Sequence, residues 1–128
     1  MNDLTLKDDI LPILEQNDLS TLVEPLTKEI HLFDCTIAGT SYIEDKTVFT
    51  MLKKEDYLVF QRENNKYDNN AILILTEDNI KLGYVPRKDN IIFARLMDAG
   101  KLLKGKVIDI QKKKDYFHVE IGIYLIDF

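Results

Sequence analysis

Tyr57-Leu58-Val59-Phe60-Gln61-Arg62-Glu63-Asn64-Asn65-Lys66-Tyr67-Asp68-Asn69-Asn70-Ala71-Ile72-Leu73-Ile74-Leu75 places a polar stretch between two apolar runs. The runs Tyr57–Phe60 and Ala71–Leu75 are short and bounded by turn formers, the pattern of buried strands. Between them, asparagines surround Tyr67 and Asp68. Asn and Asp bond their own backbone and tolerate left-handed conformations, so a compact loop is expected there. Two readings of Tyr67 stand side by side: a ring presented by a binding loop, or a ring folded back onto its own strand.

Outward from this stretch the chain reads as mostly β with helices. Glu29–Ala38 is rich in strand formers, and Gly39-Thr40-Ser41-Tyr42 ends it in a turn. Val48–Leu52 fits either a helical turn or a strand. Glu77-Asp78-Asn79 is a hairpin turn into a strand over residues 80–85, which Pro86 stops because it has no N–H for the ladder. A helix follows, with Asp89 or Asn90 as its cap. Ile91, Ile92, Arg95, Leu96 and Ala99 lie at helical spacing, and Gly100 ends it. Leu103–Gln111 is a strand, Lys112-Lys113-Lys114-Asp115 a turn, and Tyr116–Asp127 a closing strand. In the closing strand Phe117, Val119, Ile121, Ile123 and Leu125 alternate with Tyr116, His118, Glu120, Gly122 and Tyr124, the period of a half-buried strand. The expected architecture is α+β: a small six-stranded β-barrel with one internal helix.

Residues 1–27 read as an acidic helical extension to a body spanning 28–128. Leu6, Ile10, Ile13 and Leu14 recur at helical spacing, Pro12 interrupts them, and Thr21-Leu22-Val23-Glu24 has capping-box spacing. Packing on the body and recruitment of a protein partner are both open roles for it. The charge is uneven. Residues 1–30 carry two lysines against seven carboxylates, which accounts for the whole net charge of −5. Residues 81–114 carry ten Lys/Arg against three aspartates. Such a basic segment is either a phosphate site or a solvated helix face followed by a lysine-rich turn.

A chain of 128 residues with 45 % apolar and 30 % charged content fits one soluble domain. Its one cysteine, Cys35, excludes an internal disulfide and fits a small buried residue in a reducing compartment. No charged-then-apolar leader and no apolar run of about 18 residues is present, so the expected location is the cytoplasm, with no membrane span. Catalytic motifs are wanting. His31 and His118 have no metal-site spacing, and Ser41 lacks the surroundings of a nucleophile elbow. Asp34, Glu63 and Asp68 are the carboxylates that a Mg²⁺-dependent nuclease or phosphoesterase would use. No cofactor is called for.

Three stretches in order carry a family resemblance: Ala38-Gly39-Thr40-Ser41-Tyr42, Leu58–Ile72 and Gly83-Tyr84-Val85-Pro86-Arg87. Together they resemble the HIRAN domain over roughly residues 30–112. That family occurs at the N-terminus of helicase-like transcription factor and related DNA-repair translocases, and as small stand-alone bacterial and phage proteins. The resemblance implies an OB-like barrel that binds single-stranded DNA at its free 3′ end without catalysis. It assigns Tyr42 and Tyr67 to the aromatic pair on the terminal bases, Asp68 to the 3′-hydroxyl and Arg87 to a phosphate. Asn65 belongs to the same loop, Tyr84 takes the place of another polar ring, and Tyr116 is a third aromatic. Ser41 stands where eukaryotic relatives have a basic residue.

The chemistry of these residue types agrees. Stacking on an aromatic ring contributes about 1–3 kcal/mol per base and tolerates any sequence. An ionised carboxylate only accepts hydrogen bonds, so it suits a terminal hydroxyl and repels a terminal phosphate. An arginine fork suits the neighbouring phosphate.

Overall fold

In the closing strand, Phe117, Val119, Ile121 and Ile123 are buried while His118 and Glu120 are half-exposed, as the alternation predicts. Its hairpin partner, Leu103–Lys112, repeats the pattern with Leu103, Gly105 and Val107 inward. The computed structural model describes residues 28–127. The readings made for residues 1–27, including the helical extension and its partner, fall outside the described residues. Residues Glu29–Ile126 form one compact unit.

The strands are β1 (Lys28–Thr36), β2 (Tyr57–Asn65), β3 (Asp68–Thr76), β4 (Lys81–Tyr84), β5 (Leu103–Lys112) and β6 (Phe117–Asp127). They make one sheet in the order β1-β6-β5-β2-β3-β4, with antiparallel pairing from β6 through β4. The expected barrel is corrected here: the sheet is open, with β1 and β4 at its edges. Two residues past β1, a single bridge joins Ala38 to Tyr84. Ala38 N–H donates to the Tyr84 carbonyl (2.8 Å) and Tyr84 N–H to the Ala38 carbonyl (2.9 Å). The ladder goes no further because each side turns away. Gly39 adopts a left-handed conformation (φ 80°) on one side, and Pro86 follows on the other.

Gly83 makes that approach feasible. A Cβ there would lie 2.3 Å from the Ala38 carbonyl oxygen and 2.6 Å from Ile37 Cγ2, at a φ of +151° that L residues rarely adopt.

Two helices and a 3₁₀ turn (Thr40–Tyr42) complete the described residues. The ambiguous Val48–Leu52 stretch is helical: α1 (Thr47–Met51) buries Val48 and Phe49. Asp45 decides this locally by accepting from Thr47 N–H (3.0 Å) and Thr47 Oγ1 (2.6 Å). Those two bonds hold the Asp45 carboxyl below its ordinary pKa. Phe49 then stacks on Phe117 at 5.1 Å between ring centres, fixing α1 over the core.

The second helix, α2 (Asn90–Asp98), begins after Asp89, whose side chain makes no capping bond. Its end is a Schellman motif, with Lys101 N–H on the Leu96 carbonyl and Gly100 N–H on that of Met97. Asn90, Phe93 and Ala94 point inward, while Ile91 and Ile92 are exposed. Both sets have helical spacing; packing of α2 on β3 and of Phe93 against Phe33 selects the first.

Cys35 is buried, as expected, and burial pushes its thiol pKa up to about 12. Among the described residues no helix is long and apolar enough to cross a membrane.

Candidate nucleic-acid interface

The polar stretch between the two central strands is a hairpin rather than an open loop. Strand pairing continues through Arg62↔Ile72 and Glu63↔Ala71 to Asn65↔Asp68, with an irregularity between Glu63 and Asn65. Only Lys66 and Tyr67 remain to make the turn. Asn65 explains the tightness. Its Oδ1 accepts from the backbone N–H of both Tyr67 (2.9 Å) and Asp68 (2.8 Å). Its Nδ2 donates to Glu63 Oε1 (2.9 Å). Glu63 in turn accepts from the Tyr84 hydroxyl at 2.8 Å and 3.0 Å. Lys81 Nζ donates to that hydroxyl and lies 4.8 Å from the centre of the Tyr84 ring. Asn65 and Tyr84 therefore build the hairpin tip from beneath.

Tyr67 is 75 % exposed at the tip. Asp68 beside it is fixed by both oxygens: Oδ1 accepts from Asn70 N–H (2.9 Å) and Oδ2 from Asn90 Nδ2 (2.8 Å). Burial alone would raise its pKa. The Asn70 and Asn90 bonds, with the charges of Arg87 and Arg62, outweigh that and hold the carboxyl below its ordinary value. The group is an anion at neutral pH with a defined orientation.

Arg62 completes the frame. It continues the inward face of Leu58 and Phe60 on β2. Its Nη1 donates to the Ala71 carbonyl (2.6 Å), its Nη2 to the Asn69 carbonyl (2.8 Å) and its Nε to Asp98 Oδ1 (2.9 Å). One guanidinium thus ties the start of β3 to the end of α2, and its charge offsets a carboxylate at the negative helix end.

These elements enclose an open cleft of about 390 Å³ lined by Lys66, Tyr67, Asp68, Asn69, Asn70, Arg87, Asn90 and Ile91. Of the residues expected from sequence, it unites Tyr67, Asp68 and Arg87. Asn65 and Tyr84 lie behind it, as described. Tyr42 is 87 % exposed on the 3₁₀ turn, outside this lining. Tyr116 belongs to a different concavity. Arg62, Asn70 and Asn90 were not singled out from sequence as site residues. For Arg62 the signal was an arginine on the inward side of an alternating strand. For Asn90 it was an amide three and four residues before Phe93 and Ala94, on the inward helix face.

The three carboxylates considered for Mg²⁺ have separate partners: Asp34 pairs with His31 Nε2 at 2.5 Å, Glu63 with Tyr84 and Asn65, and Asp68 with Asn90. Among the described residues no group of three or more His, Cys, Asp or Glu is placed to hold a metal ion.

The model of the HIRAN domain matches residues 30–125. This chain belongs to the HIRAN family. HIRAN domains are, as a family, DNA-binding modules. A crystal structure of a protein from Lactobacillus plantarum is 33 % identical, covering 80 % of this chain and 99 % of that one with a TM-score of 0.73. The crystal structure of the HIRAN domain of human HLTF is 16 % identical, covering 79 % of each chain, with a TM-score of 0.63. At that identity it shows a shared fold. Among curated proteins none matches.

Proposed function

We propose that this HIRAN domain is a non-catalytic module that binds single-stranded DNA at a free 3′-hydroxyl end. The observation that carries the reading is the shared cleft of Tyr67, Asp68 and Arg87, with Asp68 held on both oxygens as an anion. In this reading Tyr67 stacks on the terminal base, with Tyr42 as the second ring of the pair. Asp68 accepts a hydrogen bond from the terminal 3′-hydroxyl. Arg87 meets the adjoining phosphate. A role at DNA ends in repair is part of this reading, and stacking on a tyrosine is indifferent to base sequence.

The test is a four-way titration at low salt. Wild type and Asp68→Asn are each titrated with strands of one sequence ending in a 3′-hydroxyl or a 3′-phosphate. A hydrogen bond to a charged group contributes about 1.5–3 kcal/mol, so wild type is expected to favour the hydroxyl end by at least tenfold. Asp68→Asn removes the charge and adds an N–H₂ donor, so the preference shrinks. Equal binding of both ends by wild type, or an unchanged ratio in the variant, overturns the reading.

A further inference from the structure

The molecule has a second concavity of about 390 Å³, whose chemistry differs from the first. It is lined by Lys46, Thr47, Thr50 and the run from Lys112 to Phe117. Four lysines face one aspartate in this lining. Lys46 is committed: its Nζ donates to the carbonyls of Ser41 (3.1 Å) and Ile43 (2.9 Å), on either side of Tyr42. Lys112, Lys113 and Lys114 are exposed, and none forms an ion pair among the described residues. Beside them the Tyr116 ring is 42 % exposed.

The turn bearing Tyr42 links this concavity to the first cleft. On one side, Ala38 pairs with Tyr84, three residues before Arg87. On the other, Thr40 Oγ1 donates to the Phe117 carbonyl (2.7 Å), next to Tyr116, and Lys46 clamps the carbonyls around the ring. An exposed tyrosine thus stands on a turn tied on one side to the strand that leads to Arg87 and on the other to the strand that starts beside Tyr116.

We propose that the Lys112–Tyr116 concavity is a second subsite, for the phosphodiester backbone of the same strand upstream of its 3′ end, reached past Tyr42. This rests on the end-binding reading above. Unpaired lysines next to an aromatic ring are the chemistry that tracks a single strand without reading bases. The one carboxylate in this lining, Asp115, is exposed and outnumbered by the lysines.

The experiment compares 3′-hydroxyl oligothymidylates of three and twelve nucleotides, with full-length wild type and with Lys112→Gln/Lys113→Gln/Lys114→Gln, between 50 and 200 mM salt. The three lysines are exposed, and a thermal melt checks that the variant folds. At about 0.7 per phosphate on a single strand, the wild-type salt slope is expected to steepen by about 2 from the trimer to the dodecamer. The triple variant is expected to bind the trimer like wild type and to lose that steepening and the accompanying gain in affinity. Equal wild-type affinity for both lengths overturns the second subsite while leaving the end cleft standing. So does a variant that keeps the gain, or one that weakens both lengths equally. If wild type ignores the trimer and binds a 3′-phosphate dodecamer as well as the hydroxyl form, the end reading fails, and the shared-strand arrangement with it.

Discussion

Between β2 and β3 the chain reverses in two residues, and side chains hold the reversal in place. Asn65 accepts from two backbone N–H groups, and Asp68 is bonded through both oxygens. Between β5 and β6 it reverses over Lys113–Tyr116, closed by one backbone bond from Lys113 N–H to the Tyr116 carbonyl (2.8 Å), with its lysine chains free of ion pairs among the described residues. The contrast fits the two tasks proposed for them. A hydrogen bond weakens steeply with misalignment, so an acceptor for one hydroxyl has to be fixed. Attraction between a lysine and a phosphate is nearly isotropic, so long flexible chains serve it without a frame.

The largest expected effect comes from breaking the Ala38–Tyr84 seam, which ties the Tyr42 turn to β4. In Gly83→Ala the new Cβ meets the Ala38 backbone, and no side-chain adjustment relieves a clash of 2.3 Å with a carbonyl oxygen. Overpacking and backbone strain, each about 1–3 kcal/mol, add here, so a loss of about 2–6 kcal/mol is expected in denaturant unfolding. Near-wild-type stability would mean that the Ala38–Tyr84 bridge is not what holds the Tyr42 turn to β4.

A smaller effect sharpens the comparison at the ligand. Tyr67→Ala and Tyr42→Ala are each expected to weaken single-strand binding by about 1–3 kcal/mol, and phenylalanine at either position to retain most of it. Both rings are largely exposed, so unfolding curves stay where they are. Variants that unfold instead of losing affinity would show that the rings support the fold.

How far these features could be read in the sequence depended on whether local chemistry or packing decides them. The β5–β6 hairpin was legible because a strict alternation over a long strand leaves one register that buries Val119, Ile121 and Ile123. The Glu77-Asp78-Asn79 turn was legible too. Its determinants are local, with Thr76 Oγ1 taking the N–H groups of Asp78 and Ile80. The central stretch was misread as a loop because its strand residues are polar. Arg62, Glu63 and Asn65 pair in the sheet while their side chains serve the frame. Which face of α2 is buried was not legible because Ile91 and Ile92 are as apolar as Phe93, and only the position of β3 tells them apart. The sequence could suggest Tyr67, Asp68 and Arg87 as partners through family resemblance. That Asn90 orients Asp68 is a contact between helix and hairpin that no local pattern encodes.

The smallest expected effect isolates what makes the first tip a fixed anion. Asp68 has a lowered carboxyl pKa in the folded state. The unfolded state therefore binds the proton more readily. Stability from this group is fully present above the unfolded value of about 3.9 and is lost as pH falls through the folded value. Other carboxyls, including Asp45 and Asp98, are lowered too, so the wild-type curve alone assigns nothing. The informative quantity is the difference in unfolding free energy between wild type and Asp68→Asn across pH 2–7, a range chosen to span the carboxyl titration at about 3.9. Asp68 meets Asn70 N–H and Asn90 Nδ2 with separate oxygens, and an asparagine replaces one of those oxygens by an N–H₂ donor, so in the same pose it faces one of the two donors with a donor. Wild type is expected to hold a constant advantage from neutrality down to about pH 5, shrinking as the carboxyl protonates below about 3.9. A difference that stays flat to the acid end would mean that the charge of Asp68 adds nothing to its two hydrogen bonds. The β2–β3 tip would then be ordered by hydrogen-bond geometry alone, without help from the charge.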